Sequence, residues 1–414
     1  MDRFILGDAT PTALTHETLA GSLGVGPLRD LALDPLQHGV HGLLADLVPD
    51  WDGSLDRLIR TKYKPARKLT AYYQLTPGDD ARHVAVTWTN ESVRVLISPD
   101  DPDMPQLAAL HERLHGTGLL GFAGRIDTIR YRPGQRHVLR VSSRDLPKNG
   151  RSVYVKTDRD DSGARAVPVV QALNERVTSM CPGAHLAEPI GYSAADRAGL
   201  WEGAPGEPLW RRFAGGAPEA KLTFLVGRAL RVLHETPLAD LPAQDGPARD
   251  AAGEIASTIR AGEHIVALLP EVGAEYLAIA QDVADDLARV PGEAPTFTHG
   301  DVKSDNVLAF GNDVRLLDLD RCGPADPALD LAKFVADLRW WCGPDRNCAG
   351  GLIDSFISGY GDADPSRWER TVHLTRLFQL KLAARRCSVH DPAWETRVRA
   401  RVSAAGSVLA RGAR

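Results

Sequence analysis

Aromatic residues are sparse in this chain, cysteines sparser still, and long apolar runs are missing altogether. Phe, Trp and Tyr make up 6% of 414 residues, and there are only five cysteines. Cys181, Cys322, Cys342, Cys348 and Cys387 form an odd set without a regular spacing, which excludes a disulfide scaffold. A chain of this length buries most of its apolar surface and needs no covalent staple. Cys342 and Cys348 are the closest pair, but they lack a Cys-x-x-Cys spacing and a partner pair, so buried thiols are expected rather than zinc ligands. Apolar runs such as Val266-Ala-Leu-Leu269 fall far short of the roughly 20 residues that span a bilayer. The opening Met1-Asp-Arg-Phe-Ile-Leu-Gly-Asp8 has no positive stretch followed by an apolar one, so no secretion signal is read there. No membrane partner and a reducing cytoplasm are therefore expected. Excess positive charge is lacking too. The formal net charge of −5 excludes a general nucleic-acid binder, which needs clustered cations to displace counterions.

What is present is ordinary globular composition, 43% hydrophobic and 25% charged, in a chain long enough for two or three domains. An internal echo stands out. Tyr63-Lys-Pro-Ala-Arg-Lys-Leu-Thr-Ala-Tyr72 is similar to Tyr131-Arg-Pro-Gly-Gln-Arg-His-Val-Leu-Arg140. Each is followed by an alternating strand, Arg82–Trp88 in the first copy and Arg151–Thr157 in the second. Both read as β-hairpins with a Pro-x turn, and a duplication is the favoured reading. Helical stretches around Leu19–Leu47 and a helix at Pro102–Leu114 complete a separate α+β unit over residues 1–120. From Gly163 a helix (Val167–Val177) leads to strands near Ala187–Tyr192 and Gly199–Trp201. Glu202-Gly-Ala-Pro-Gly-Glu-Pro208 is the clearest linker. Beyond it the pattern is helical: Leu222–His234, then 247–289, 326–341 and 366–413. A β-rich piece (121–203), a Gly/Pro hinge and a helical piece (204–414) predict two lobes with a cleft between them.

The chemistry concentrates in Thr298-His-Gly-Asp-Val-Lys-Ser-Asp-Asn-Val-Leu308 and Val314-Arg-Leu-Leu-Asp-Leu-Asp320. Asp301 and Asn306 sit on a loop ending in an apolar strand, and Asp318 follows a second apolar run. Hard oxygen ligands of this kind suit Mg²⁺, which shares its shell with substrate phosphates. A carboxylate left off the metal can accept a proton from an attacking hydroxyl. These are the parts that phosphoryl transfer needs.

His299-Gly-Asp301-x-x-x-x-Asn306 followed by Leu-Asp-x-Asp resembles the aminoglycoside phosphotransferase and choline kinase superfamily, the small-molecule branch of the protein-kinase-like fold. The resemblance implies an α+β, bilobal fold with a β-rich N-lobe and a helical C-lobe, here carrying an extra N-terminal α+β domain. It implies Asp301 as catalytic base, with Asn306 and Asp318 holding Mg²⁺. Asp330, in Ala325-Asp-Pro-Ala-Leu-Asp-Leu-Ala332, would support the catalytic loop. Lys303 stands where protein kinases place a lysine beside the transferring phosphoryl group. Lys156, in Val153-Tyr-Val-Lys156, is similar to the Val-Ala-Ile-Lys lysine that holds the α- and β-phosphates. Glu175 is its implied helix partner, with Glu188 as the alternative. No Gly-x-Gly-x-x-Gly loop exists, so the turn amides, Gly134 and Arg136 are the candidates for cradling phosphate. The linker, from Glu202 through Ala204 to Gly206, would meet the adenine with its backbone. ATP or GTP is the expected donor.

The first hairpin lacks this lysine. Thr87 or Trp88 falls at the corresponding place, so it is expected not to bind nucleotide and to serve either as a cap on the nucleotide lobe, bordering the acceptor entrance, or as a purely structural extension. The acceptor is the thinnest part of the reading. Residues 235–296 hold 12 Asp+Glu, three Arg and no Lys, whereas 366–414 hold 11 Lys+Arg against three Asp+Glu. An acidic wall suits an amino sugar and a basic one an anionic acceptor. Trp340, Trp341, Trp368 and Trp394 are candidates for stacking on a sugar. A kinase of small-molecule hydroxyls is expected, with sugars, amino sugars, aminoglycosides and related natural products foremost. A Ser/Thr kinase of a peptide substrate and a nucleotide-binding pseudokinase are the alternatives.

Overall fold

The computed structural model describes residues 13–47, 55, 57–75, 82–116, 119–121, 124–143, 152–214, 219–242, 248–343 and 346–407. Helices α1 (Ala13–Ala20), α2 (Val25–Leu33) and α3 (Val40–Leu47) lead into an antiparallel meander, β1 (Arg57–Lys64), β2 (Lys68–Leu75), β3 (Arg82–Thr89) and β4 (Val93–Ile97); α4 (Gln106–His115) follows. Period-2 alternation divides this sheet. Tyr63, Leu69, Trp88 and Val93 lie opposite one another in register and are buried, whereas Lys62, Thr70, Thr87 and Arg94 share the other face.

The second sheet holds β5 (Arg125–Arg132), β6 (Arg136–Ser142), β7 (Ser152–Asp158), β9 (Pro189–Ser193) and β10 (Ala198–Glu202), in the order β5-β6-β7-β10-β9. Helix α5 (Ser162–Met180) crosses one side, with Gly163 against Gly199 and Tyr192. The other side buries Leu139, Val141, Val153 and Val155 against Leu110 and Leu114 of α4. The helical lobe begins after the linker. It comprises β11 (Glu207–Pro208), α6 (Leu209–Ala214), α7 (Ala220–His234), α8 (Ala251–Leu268) and α9 (Pro270–Leu287), then β12 (Thr296–Thr298), β13 (Val307–Phe310), β14 (Asp313–Leu316) and β15 (Gly323–Ala325). Helices α10 (Ala328–Trp341), α11 (Arg346–Tyr360), α12 (Pro365–Arg386) and α13 (Trp394–Gly406) close it. Strand β8 (Ala184–Leu186), although it precedes the linker, pairs in parallel with β14.

The hairpin echo is real in three dimensions. Pro65-Ala66 and Pro133-Gly134 form the same turn: Ala66 and Gly134 have φ of 56° and 62°, and the amides of Arg67 and Gln135 donate to the carbonyls of Lys64 and Arg132. Each first strand also carries an irregularity at an exposed isoleucine, Ile59 or Ile129. The register places Thr87, and not Trp88, at the position of Lys156. Tyr63 leads through Leu69 to Trp88, just as Tyr131 leads through His137 to Thr157.

The N-terminal unit does not cap the nucleotide lobe alone. Its buried sheet face and helices share one continuous core with α8, α9, α12 and α13. Arg67 pairs with Glu263, and Arg29 donates to the Asp391 carbonyl at 3.2 Å. Toward the other lobe, Gln106 donates to Thr157 Oγ1 at 3.2 Å and the Asp158 carbonyl at 2.9 Å, and Arg113 pairs with Asp196. Among the described residues no helix is long and apolar enough to cross a membrane. Cys181, Cys322 and Cys387 are free thiols.

Candidate active site

The catalytic loop runs from β12 to β13 and rests on one face of α10. The Asp330 carboxylate accepts the amides of His299 at 2.6 Å and Gly300 at 2.8 Å. His234 Nε2 lies 3.4 Å from the same carboxylate. Two turns further along α10, Asp337 accepts the Ser304 amide at 2.7 Å, and Arg386 pairs with it at 2.7 Å. Gly300 is fixed by space as well as by bonds. Its φ is +81°, and a Cβ there would come within 2.1 Å of the Arg321 carbonyl oxygen. Only glycine meets both demands.

Asp301 is held from three directions. Lys303 Nζ donates to Oδ2 at 2.8 Å, Asn306 Nδ2 reaches Oδ2 at 3.3 Å, and Lys333 Nζ lies 3.5 Å from Oδ1. Burial works against the charge of Asp301, but Lys333 and Lys303 outweigh it and hold the carboxyl well below the usual range. His299 is fully buried; burial outweighs the pull of Asp330 and Asp301 and lowers its pKa. Its Nδ1 accepts the Asp301 amide at 3.3 Å.

The second half of the site follows the tight hairpin of β13 and β14, which turns on Gly311 at φ +59°. Asp318 adopts a left-handed backbone, φ 65° and ψ 52°, a conformation costly for most side chains and easiest for Asp and Asn. Lys156 Nζ lies 2.5 Å from Asp318 Oδ1 and also pairs with Asp320. Arg136 pairs with Asp158 and lies 2.6 Å from Asp320. Burial opposes the charge of Asp318, yet Lys156, a hydrogen bond with Asp320 and Arg136 hold it below the usual range. Asp320 goes the other way. Burial, with the neighbouring Asp318 charge, pushes it up to about 6 against Lys156.

Asn306 Nδ2 also donates to the Asp301 carbonyl at 2.9 Å, so its amide oxygen, an acceptor, remains for a cation. That oxygen and the Asp318 carboxylate fit the hard donor set of Mg²⁺, which needs only one or two protein groups when phosphates complete the shell. Among the described residues there is no group of three His, Cys, Asp or Glu that could hold a metal by itself.

Asp301, Lys303 and Asn306 therefore form one bonded group, and Asp318, Lys156 and Arg136 a second, tied to the first by the Leu317 amide, which donates to the Asn306 carbonyl; other expectations are corrected. Glu175 is exposed: helical periodicity turns Val170, Leu173 and Val177 inward and Glu175 outward. Lys156 pairs with Asp318 and Asp320 instead, and Glu188 is exposed as well. The Gly134 amide cradles no phosphate, because it donates to Asp101 Oδ2 at 2.7 Å, beside the Tyr131 hydroxyl at 3.0 Å. In the linker, the Glu202 amide bonds the Glu188 carbonyl and the Gly203 amide that of Ser152; the Glu202 side chain is exposed. The Ala204 amide is the next donor along the linker. The tryptophans have protein partners. Trp394 is fully buried, Trp368 packs on Tyr360, Trp341 stacks on Trp210 at 4.5 Å, and Arg401 covers Trp340.

Sequence reasoning missed Lys333, Asp320 and Asp337. The signal was present: Asp330, Lys333 and Asp337 recur at helical spacing on one face of α10, and Asp320 is the second Asp of Leu-Asp-Leu-Asp.

The family model described as the phosphotransferase enzyme family matches residues 134–370. Among solved structures, the GDP and kanamycin complex of the aminoglycoside phosphotransferase APH(2")-IIia superposes with a TM-score of 0.50 at 13% identity, over 73% of this chain and 97% of that one. Amicoumacin kinase hAmiN, in complex with AMP-PNP, Ca²⁺ and Ami, gives the same score and identity over 74% and 96%. The aminoglycoside phosphotransferase APH(3'')-Id of Streptomyces rimosus is 25% identical over 66% and 98%, with a TM-score of 0.43. No curated protein matches. The matched span takes in Lys156, the catalytic loop and Asp318, and on it the chain belongs to the phosphotransferase enzyme family, with the protein-kinase-like fold.

Proposed function

We propose that the protein transfers the γ-phosphate of ATP or GTP to a hydroxyl of a small polar molecule, such as a sugar, an amino sugar, an aminoglycoside or a related natural product. The observation that carries this is the Asp301 carboxylate, ionised and fixed by Lys303, Lys333 and Asn306, and near enough to Asp318 to feel its charge. Asp301 orients the acceptor hydroxyl and receives its proton. Its low pKa makes orientation the larger part of that role, because a weak base removes a proton only late in transfer. Lys156 and Arg136 hold the donor phosphates, and Lys303 faces the charge of the transferring group. Asn306 and Asp318 would hold Mg²⁺, which supplies charge neutralisation across the phosphate oxygens when bound. The solved relatives bound to kanamycin and to amicoumacin support a small acceptor.

The test is acceptor-stimulated release of nucleoside diphosphate with Mg²⁺ and ATP or GTP. Asp301→Asn is expected to lower kcat by about 10²–10⁴-fold with nucleotide affinity retained. A variant as fast as the wild type would sink the reading.

A further inference from the structure

The register of the second sheet extends the face of Lys156 outward. Lys156 lies opposite Val138, and Val138 opposite Arg130; Asp158 lies opposite Arg136, and Arg136 opposite Arg132. Arg130 and Arg132 of β5 therefore stand on the same face as the phosphate-holding lysine, at the edge of the sheet farthest from the linker strand β10. The N-terminal sheet meets that edge, with Ala85 and Tyr72 packed about Tyr131. The sheet face that carries Ala85 and Tyr72 also carries Arg60 and Lys62, and the Arg60 guanidinium lies 5.6 Å from the Tyr72 ring centroid. No Asp or Glu lies among the strand residues of β1–β4 on that face.

These four cations have no acidic partner among the described residues. Two other arginines of the site are paired: Arg136 with Asp158 and Asp320, Arg386 with Asp305 and Asp337. Arg132 Nε is moreover buried without a hydrogen-bond partner. Burial and crowding of like charge lower the pKa of Lys62, Arg130 and Arg132. Burial and the neighbouring Lys64, Arg60 and Arg132 bring Lys62 down to about 8. Burial, with Arg130 and Arg60, brings Arg132 down to about 10. Arg130 in turn feels the charges of both Asp318 and Asp301, in keeping with its place on the Lys156 face of the sheet. On the C-lobe side, exposed Arg385 lies within the field of Asp301. On α9, Asp286 pairs with Arg289 and Arg376, and Asp282 lies 3.8 Å from Arg376.

Unpaired like charges held together are unfavourable unless a ligand of opposite sign joins them. We infer that the acceptor carries an anionic group, a phosphate or a carboxylate, held by Arg60 and Lys62 of the N-terminal sheet together with Arg130 and Arg132 of β5. The inference rests on the phosphotransferase reading and narrows it: a cationic amino sugar is disfavoured, and the duplicated hairpin becomes part of the acceptor site.

The test uses the full chain loaded with Mg²⁺ and AMP-PNP. Equilibrium binding is measured for matched probes: glucose, glucose 6-phosphate and gluconate, with glucosamine and kanamycin as the cationic set. The phosphorylated or carboxylated members are expected to bind at least about tenfold more tightly than glucose, with the advantage shrinking as salt is raised. Comparing glucose 6-phosphate with gluconate tells which anion the wall prefers. In R60A/K62A the advantage is expected to disappear, and Arg60→Lys is expected to keep part of it; if the double variant does not fold, Lys62→Gln serves alone. Anionic probes binding no better than glucose, or cationic probes binding best, would overturn the inference. So would a double variant that loses affinity for AMP-PNP instead of for the anionic probe, because the wall would then serve the donor. A wild-type rate in Asp301→Asn, measured separately by nucleoside diphosphate release, strikes the phosphotransferase reading and leaves the binding result to stand by itself.

Discussion

Lys333 shows how much one unassigned side chain can govern. It donates to the Gly300 carbonyl at 2.7 Å and lies beside Asp301, so it bears on both the shape of the loop and the charge of Asp301. Lys333→Met is expected to lower kcat by roughly tenfold to a hundredfold with little change in the nucleotide KM. Steady-state kinetics at varied nucleotide checks this, and a larger effect on KM than on kcat would place Lys333 elsewhere in the cycle. Lys156→Ala should show the opposite split, with nucleotide affinity lost first. It also leaves Asp318 and Asp320 side by side without their shared cation. The sequence made the central residues legible because phosphoryl transfer demands particular side chains at close spacing. Asp301, Asn306 and Asp318 fall within 18 positions. Lys333 was harder to read, since a buried lysine is recognised only once its helix is known to lie under the loop.

Elements were legible where periodicity was strong and obscure where a role depended on which way a helix faces. Helix α7 was expected at Leu222–His234 and is found at Ala220–His234. Glu175 was assigned by distance along the chain from Lys156, whereas packing of Val170, Leu173 and Val177 decides the rotation of α5. Likewise Gly134 looked like a phosphate-binding turn, but its amide is taken by Asp101, a residue from the preceding unit that no local pattern could reveal. Close packing yields a prediction here. Helices α7 and α11 approach through Gly227 and Gly359, where an added Cβ would lie 2.2 Å from the Phe356 carbonyl oxygen and 2.0 Å from that of Phe224. Gly227→Ala is expected to destabilise the fold by about 3 kcal/mol, the upper end for overpacking, since backbone and not a side-chain tip must move. Urea denaturation measures it, and an unchanged midpoint would contradict the close approach.

At the scale of the whole molecule, burial of histidines sets an acid limit. Burial pushes His137 down to about 3 and His264 down to about 4. The unfolded chain binds these protons near pH 6.5, while the fold refuses them until well below. Their contribution is therefore complete above pH 6.5 and is lost as pH falls. By pH 5 each should cost about 2 kcal/mol. Denaturation midpoints at pH 7 and pH 5 test this, and His264→Gln should flatten the difference. The same scale explains why residues 1–120 cannot be treated as an appendage. Removing them uncovers the sides of α8, α9, α12 and α13 that share their core, so the remaining kinase-like body is expected to aggregate on expression. The N-terminal unit also bridges the lobes, gripping one through Gln106 and Arg113 and the other through its core and Arg67. A short linker alone would let two lobes swing like a jaw. A jaw bolted at a second point is expected to keep its gape, so that the spacing between Lys156 and Asp301 is set at folding.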